Sequence, residues 1–101
     1  MNQRRVQTVP ALPGQVMEQQ TAERRLGIVG IVINDRRSSA KRVNEILGRY
    51  GDSIVARTGL FYESRGVHII SVFIDLSTND LGALTGKLGM VPGVQVKSFL
   101  F

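Results

Sequence analysis

One histidine, His68, and a complete lack of cysteine limit the chemistry open to this 101-residue chain. Thiolate zinc sites, iron–sulfur ligation, disulfides and cysteine nucleophiles are excluded. One imidazole is too few for a transition-metal site, which needs several nitrogen or sulfur donors. No serine lies in an elbow motif that would let His68 act as its base. Next to a predicted turn and strand start, His68 reads as a packed or interface side chain. No metal, no cofactor and no enzymatic activity are expected.

The remaining reactive groups are mostly cationic. Thirteen Lys and Arg against eight Asp and Glu give a net charge of +5, which suits an acidic partner such as nucleic acid. Arg36, Arg37, Lys41 and Arg42 are the residues that would form such a surface. Four of the arginines, Arg4, Arg5, Arg24 and Arg25, fall in or at the end of the N-terminal segment. Lys41 and Arg49 flank Glu45 at four-residue spacing, the pattern of a solvated, ion-paired helix face. Direct nucleic-acid binding through the first helix is therefore a secondary reading.

The elements that position these groups follow from hydrophobic periodicity. Residues 1–23 are rich in Gln and broken by Pro10 and Pro13, which fix φ and restrict the residues before them. They are expected to form a flexible tail preceding one domain over 24–101. Leu26 to Ile33 is a nearly continuous β-branched run that predicts a central strand. Asp35 is suited to cap a helix carrying Ala40, Val43, Ile46, Leu47 and Tyr50 at three- and four-residue steps. Gly51 is placed to end that helix in the left-handed conformation.

Ser53–Tyr62 and Val67–Leu76 predict a hairpin across Glu63-Ser64-Arg65-Gly66. Thr78 is the expected cap of a second helix bearing Leu81, Leu84 and Leu88. Pro92-Gly93 fits the centre of a type II turn before a last strand from Val94 to Phe99. The order β-α-β-β-α-β predicts an α+β, ferredoxin-like antiparallel sheet of four strands with both helices on one face.

Both sides of the third strand are largely apolar. Val67, Ile69, Ser71 and Phe73 point one way, while His68, Ile70, Val72, Ile74 and Leu76 point the other. Only one set can meet the helices, so Ile69 and Phe73 mark an interface that a homo-oligomer would cover. No run is long enough to span a bilayer and no secretory h-region opens the chain, so a cytoplasmic location without membrane association is expected.

From about Arg24 to Phe101 the sequence resembles the ACT-like iron-only hydrogenase system regulators. The resemblance rests on Ile31-Val32-Ile33-Asn34-Asp35-Arg36, Val43-Asn44-Glu45-Ile46-Leu47, Leu81-Gly82-Ala83-Leu84-Thr85-Gly86-Lys87-Leu88-Gly89 and Pro92-Gly93-Val94-Gln95-Val96-Lys97. That family's fold is similar to amino-acid-sensing ACT domains and to the ligand-binding half of the nickel-responsive repressor. The resemblance implies a non-enzymatic regulator of transcription, assembled as a dimer or tetramer or acting through a partner. It also implies a second reading, a sensor of an amino acid or other small-molecule effector at a subunit interface. The residues matching the ACT ligand loop are Asn34, Asp35, Arg36, Arg37 and Ser38, where exposed helix N–H groups and guanidiniums favour a carboxylate. Nickel sensing does not carry over to a chain with one histidine.

Gly82 and Gly86 each cost a helix about 1 kcal/mol relative to alanine. Four residues apart on one face, they are expected to serve close packing on the sheet or on a partner subunit, and Gly89 to act as the helix cap. Other uses of the fold fit less well. Arg65-Gly66-Val67-His68-Ile69-Ile70 carries aliphatic residues where an RNA-recognition motif places stacking rings. Asn34-Asp35-Arg36 lacks the glycines of an acylphosphatase-type phosphate loop.

Overall fold

A computed structural model describes residues 23–34 and 37–101. Residues 1–22 of the expected tail over 1–23, and the capping role of Asp35, lie outside the described residues. Six elements follow in the order β1 (Arg24–Asn34), α1 (Arg37–Arg49), β2 (Ile54–Tyr62), β3 (Val67–Ser77), α2 (Thr78–Gly89) and β4 (Val94–Leu100). The strands form one antiparallel sheet in the order β2-β3-β1-β4. This is the ferredoxin-like arrangement, in which each helix crosses between non-adjacent strands.

The alternation in β1 and β3 decides which face the helices cover. Val29, Ile31 and Ile33 of β1 and Ile70, Val72, Ile74 and Leu76 of β3 are buried on one face. They meet Val43, Ile46 and Leu47 of α1 and Leu81, Leu84 and Leu88 of α2 in a single core. Lys87 Nζ links the helices by donating to Tyr50 Oη at 2.9 Å.

Local chemistry fixes the element ends. The Ser77 hydroxyl accepts from Asp80 N at 3.1 Å, so Ser77 rather than Thr78 caps α2. Gly51 does not adopt the left-handed conformation. A 3-10 turn over Gly51–Ser53 continues the right-handed path beyond α1, and the described positive-φ glycines are Gly66 and Gly93. Gly89 likewise ends α2 without a left-handed turn, with Met90 following in the right-handed helical region. Gly66, at φ +63, closes the β2–β3 turn, where its N–H donates to Glu63 O at 3.1 Å. Gly93, at φ +76, occupies the predicted position of the turn closed by Val94 N donating to Val91 O.

Arg24 and Arg25 belong to β1 rather than to a tail. Arg24 pairs with Asp75 (Nε–Oδ1 3.8 Å), and Arg25 donates twice to the Phe101 main-chain oxygen. Gly27 is required by packing. A Cβ there would lie 2.6 Å from Phe99 O and 2.7 Å from Leu100 Cδ2, because the Leu100 side chain lies across β1 at this point.

Candidate functional site

The face of the sheet turned away from the helices is left uncovered among the described residues. Registers align its side chains in rows across the strands. One row is Ala56, Phe73, Ile28 and Phe99, and another is Leu60, Ile69, Val32 and Gln95. Between them runs a row of small or flexible residues, Thr58, Ser71, Gly30 and Lys97. Two apolar ridges thus flank a shallow groove, with a concavity of about 590 Å³ at its β1–β4 end. Phe73 is 45% exposed and Ile69 36%, and Leu60 and Phe99 are more exposed still. At one end Phe99 and Phe101 meet edge to face at 5.3 Å, and Phe101 N donates to Leu26 O at 2.9 Å. The residues expected to face outward on β3 are therefore matched in β1, β2 and β4 by further apolar side chains, which no single strand's pattern brings together.

The glycines of α2 face outward on the other side of the domain. Gly82, Gly86 and Gly89 are exposed, and a Cβ at any of them would meet nothing within 4 Å. Within one chain they do not pack on the sheet, since Leu81, Leu84 and Leu88 occupy that side of α2. Gly82→Ala with Gly86→Ala is therefore expected to stabilise the folded chain by about 1 kcal/mol per site, or about 4–8 °C in Tm for each kcal/mol. Thermal unfolding at low concentration measures this gain. Gly86→Leu adds bulk to the same open stripe and is expected to disrupt any assembly that uses it, which sedimentation reads independently.

The loop between β1 and α1 is brought against the Pro92–Gly93 turn. Asn34 N donates to Gly93 O at 3.0 Å, and Ser39 Oγ donates to Pro92 O at 2.7 Å. Ser39 is 3% exposed, so its hydroxyl acts as a buried tie. Ser38 and Arg42 line a depression of about 90 Å³ beside Pro92, far below the roughly 300 Å³ at which ordinary ligand pockets begin. Arg37 and Ser38 are exposed, and Asp35 and Arg36 lie outside the described residues. On α1, Lys41, Glu45 and Arg49 are exposed without forming the expected ion pairs; Arg24–Asp75 is the salt bridge found among the described residues.

A second concavity, of about 420 Å³, opens on the helix side between α1 and β2. Asn44, Arg57, Gly59 and Phe61 contribute to it, and the His68 ring meets that of Phe61 at a 51° tilt, with centroids 4.9 Å apart. Sequence reasoning did not find it, although a glycine in the middle of an edge strand was a signal. Among the described residues no group of three His, Cys, Asp or Glu side chains comes together to hold a metal, and no helix is long and apolar enough to cross a membrane.

The fold agrees with comparisons to known proteins. The TM1266-like family model, described as "Iron-only hydrogenase system regulator, putative", matches residues 25–98. The chain belongs to this family. Among solved structures, the uncharacterised protein TM1266 from Thermotoga maritima is 34% identical, with a TM-score of 0.76, over 78% of this chain and 99% of that one. The ACT domain of GTP pyrophosphokinase from Chlorobium tepidum shares the fold at 20% identity and TM-score 0.64, over 75% of this chain and 99% of that domain. An unknown protein from Galdieria sulphuraria shares it at 16% identity and TM-score 0.59, over 78% of this chain and 46% of its own. No curated protein matches. Membership of the TM1266-like family and the ACT-like architecture fit a regulatory role.

Proposed function

We propose that this TM1266-like chain is a non-enzymatic regulatory domain, acting in transcriptional control through self-assembly across its open sheet face. The observation that carries this reading is the pair of exposed, largely apolar ridges that run across all four strands. Four strands about 4.8 Å apart and some 30 Å long give roughly 600 Å² per copy. Two copies together would bury roughly 1,200 Å², the lower end of specific interfaces. The relief supports a second copy as the occupant. A ridge such as Phe73–Ile28 on one subunit matches the adjacent Ser71–Gly30 groove on its partner, the self-complementarity that a two-fold contact requires.

Ile69 and Phe73 lie on this face, and Gly82 and Gly86 lie in the opposite layer. One two-fold contact cannot use both sets. In this reading the sheet face makes the dimer, and the glycine stripe is left for a second contact in a tetramer. Sedimentation velocity at micromolar concentration is expected to give at least twice the 11.1 kDa chain mass. A strict monomer would overturn the proposal.

A further inference from the structure

The cleft between α1 and β2 lies on the side of the sheet opposite the proposed assembly face, and its composition is that of a ligand site. We infer that it binds a small aromatic carboxylate. Three independent features support this. First, Gly59 is unexplained by the fold. It has no positive φ, the β2 bulge is at Val55, and an added Cβ would make only ordinary contact with Ile70 Cγ1 at 3.6 Å. Glycine weakens a strand interior, and where neither bulge nor bend requires it, close approach of another molecule is the remaining common reason. With Ala40 across from it on α1, Gly59 leaves open space above the buried side chains of Ile33 and Ile70.

Second, Arg57 stands at the rim of that space and forms no ion pair among the described residues. Its Nη2 donates to Asn44 Oδ1, which holds the guanidinium over the cleft without neutralising it. A planar guanidinium fits a planar carboxylate through two parallel hydrogen bonds. Third, Phe61 supplies an aromatic wall, its ring in contact with His68 at a tilt of 51° and with ring centroids 4.9 Å apart. A flat apolar body against Phe61 and Gly59, with its carboxylate at Arg57, satisfies all three features. At about 420 Å³ the cleft lies within the usual range of small-ligand sites.

The test uses the full chain and follows backbone amide shifts during titration with indole-3-acetate and benzoate. Saturable shifts are expected at Asn44, Gly59 and Phe61, with a dissociation constant below about 1 mM for at least one carboxylate. Indole-3-acetamide, which keeps the ring and loses the charge, is expected to bind about tenfold more weakly or worse, as is the carboxylate to Arg57→Gln. Gly59→Val fills the cleft and is expected to abolish the shifts while the unfolding transition stays cooperative; Gly59→Ala, a smaller filling, is expected to weaken them. Absence of saturable shifts at these amides up to about 10 mM of either carboxylate would overturn the inference. So would unchanged affinity in Arg57→Gln or in Gly59→Val. The cleft lies wholly within one chain, so Phe73→Glu, which targets the opposite face, is expected to retain binding. Loss of binding in that variant while it remains folded would contradict a site contained in one chain, whereas loss of assembly alone would leave the site intact.

Discussion

Phe73→Glu is expected to leave the protein folded and monomeric. In one chain Phe73 is almost half exposed, between Ala56 and Ile28 in its row, so a carboxylate there remains in water. The cost to the strand is about 1 kcal/mol or less, the range of β-propensity effects. In a two-fold contact the same substitution places two carboxylates in an apolar interface. Desolvation and mutual repulsion then cost at least about 3 kcal/mol, which weakens association about 100-fold or more. Sedimentation across a concentration series reads the change in mass, and far-ultraviolet circular dichroism checks that the fold is kept. Gly30→Leu reaches the same conclusion by another route. An added Cβ at Gly30 meets only Lys97 O at 3.9 Å, so the chain accommodates it, while the side chain fills the groove that a partner ridge would enter.

Gly27→Ala is expected to be the most damaging glycine-to-alanine change by overpacking among the described residues. Its methyl carbon would lie 2.6 Å from a main-chain oxygen of β4 and 2.7 Å from Leu100, with Ile74 Cδ1 at 3.1 Å behind it. Leu100 can rotate, but Phe99 O moves only if β4 moves, and the β1–β4 ladder is then disturbed at its Leu100 end. Overpacking of this kind costs about 1–3 kcal/mol, and displaced backbone puts this case at the upper end. For a domain of this size that corresponds to a fall of about 10–20 °C in Tm. Gly30→Ala is the matched control, three residues along the same strand on the opposite face. Melting curves recorded at low concentration should show little change for Gly30→Ala and a large loss for Gly27→Ala.

This contrast shows how far the sequence could be read. The element order and the two faces of β3 were legible because alternation and helical spacing are local, and Ile69 and Phe73 could be assigned to the outer face from their own strand. Gly27 and Gly30 looked alike in a β-branched run. What distinguishes them is Leu100, distant in sequence and brought against Gly27 by the β1–β4 register. The cap of α2 was one residue out because Ser77 and Thr78 are both capping types. The extended backbone of Ser77, with φ −78 and ψ 161, decides between them. Gly51 suggested a left-handed stop, but the hydrogen bond from Ser53 N to Tyr50 O carries the chain on as a 3-10 turn.

The candidate sites divide in the same way. The loop at Asn34–Ser38 was conspicuous for its charge, yet its described part is tied down by Ser39 and Asn34 against the Pro92–Gly93 turn. The α1–β2 cleft draws Asn44, Arg57 and His68 from three elements, so no sequence window contains it. The glycine-rich helix was legible as a helix with one open stripe. Of the two expected uses of its glycines, packing on the sheet or on a partner subunit, the first is taken within one chain by the leucines on the opposite side of the helix.

The claim that the open sheet face is the assembly surface is tested most directly by isotope-filtered nuclear Overhauser spectroscopy on a mixture of labelled and unlabelled chains. Intermolecular cross-peaks from the side chains of Ile28, Ile69 and Phe73 are the predicted result. An oligomer showing such cross-peaks from the Gly82–Gly86 side of α2 and none from these three residues would contradict it.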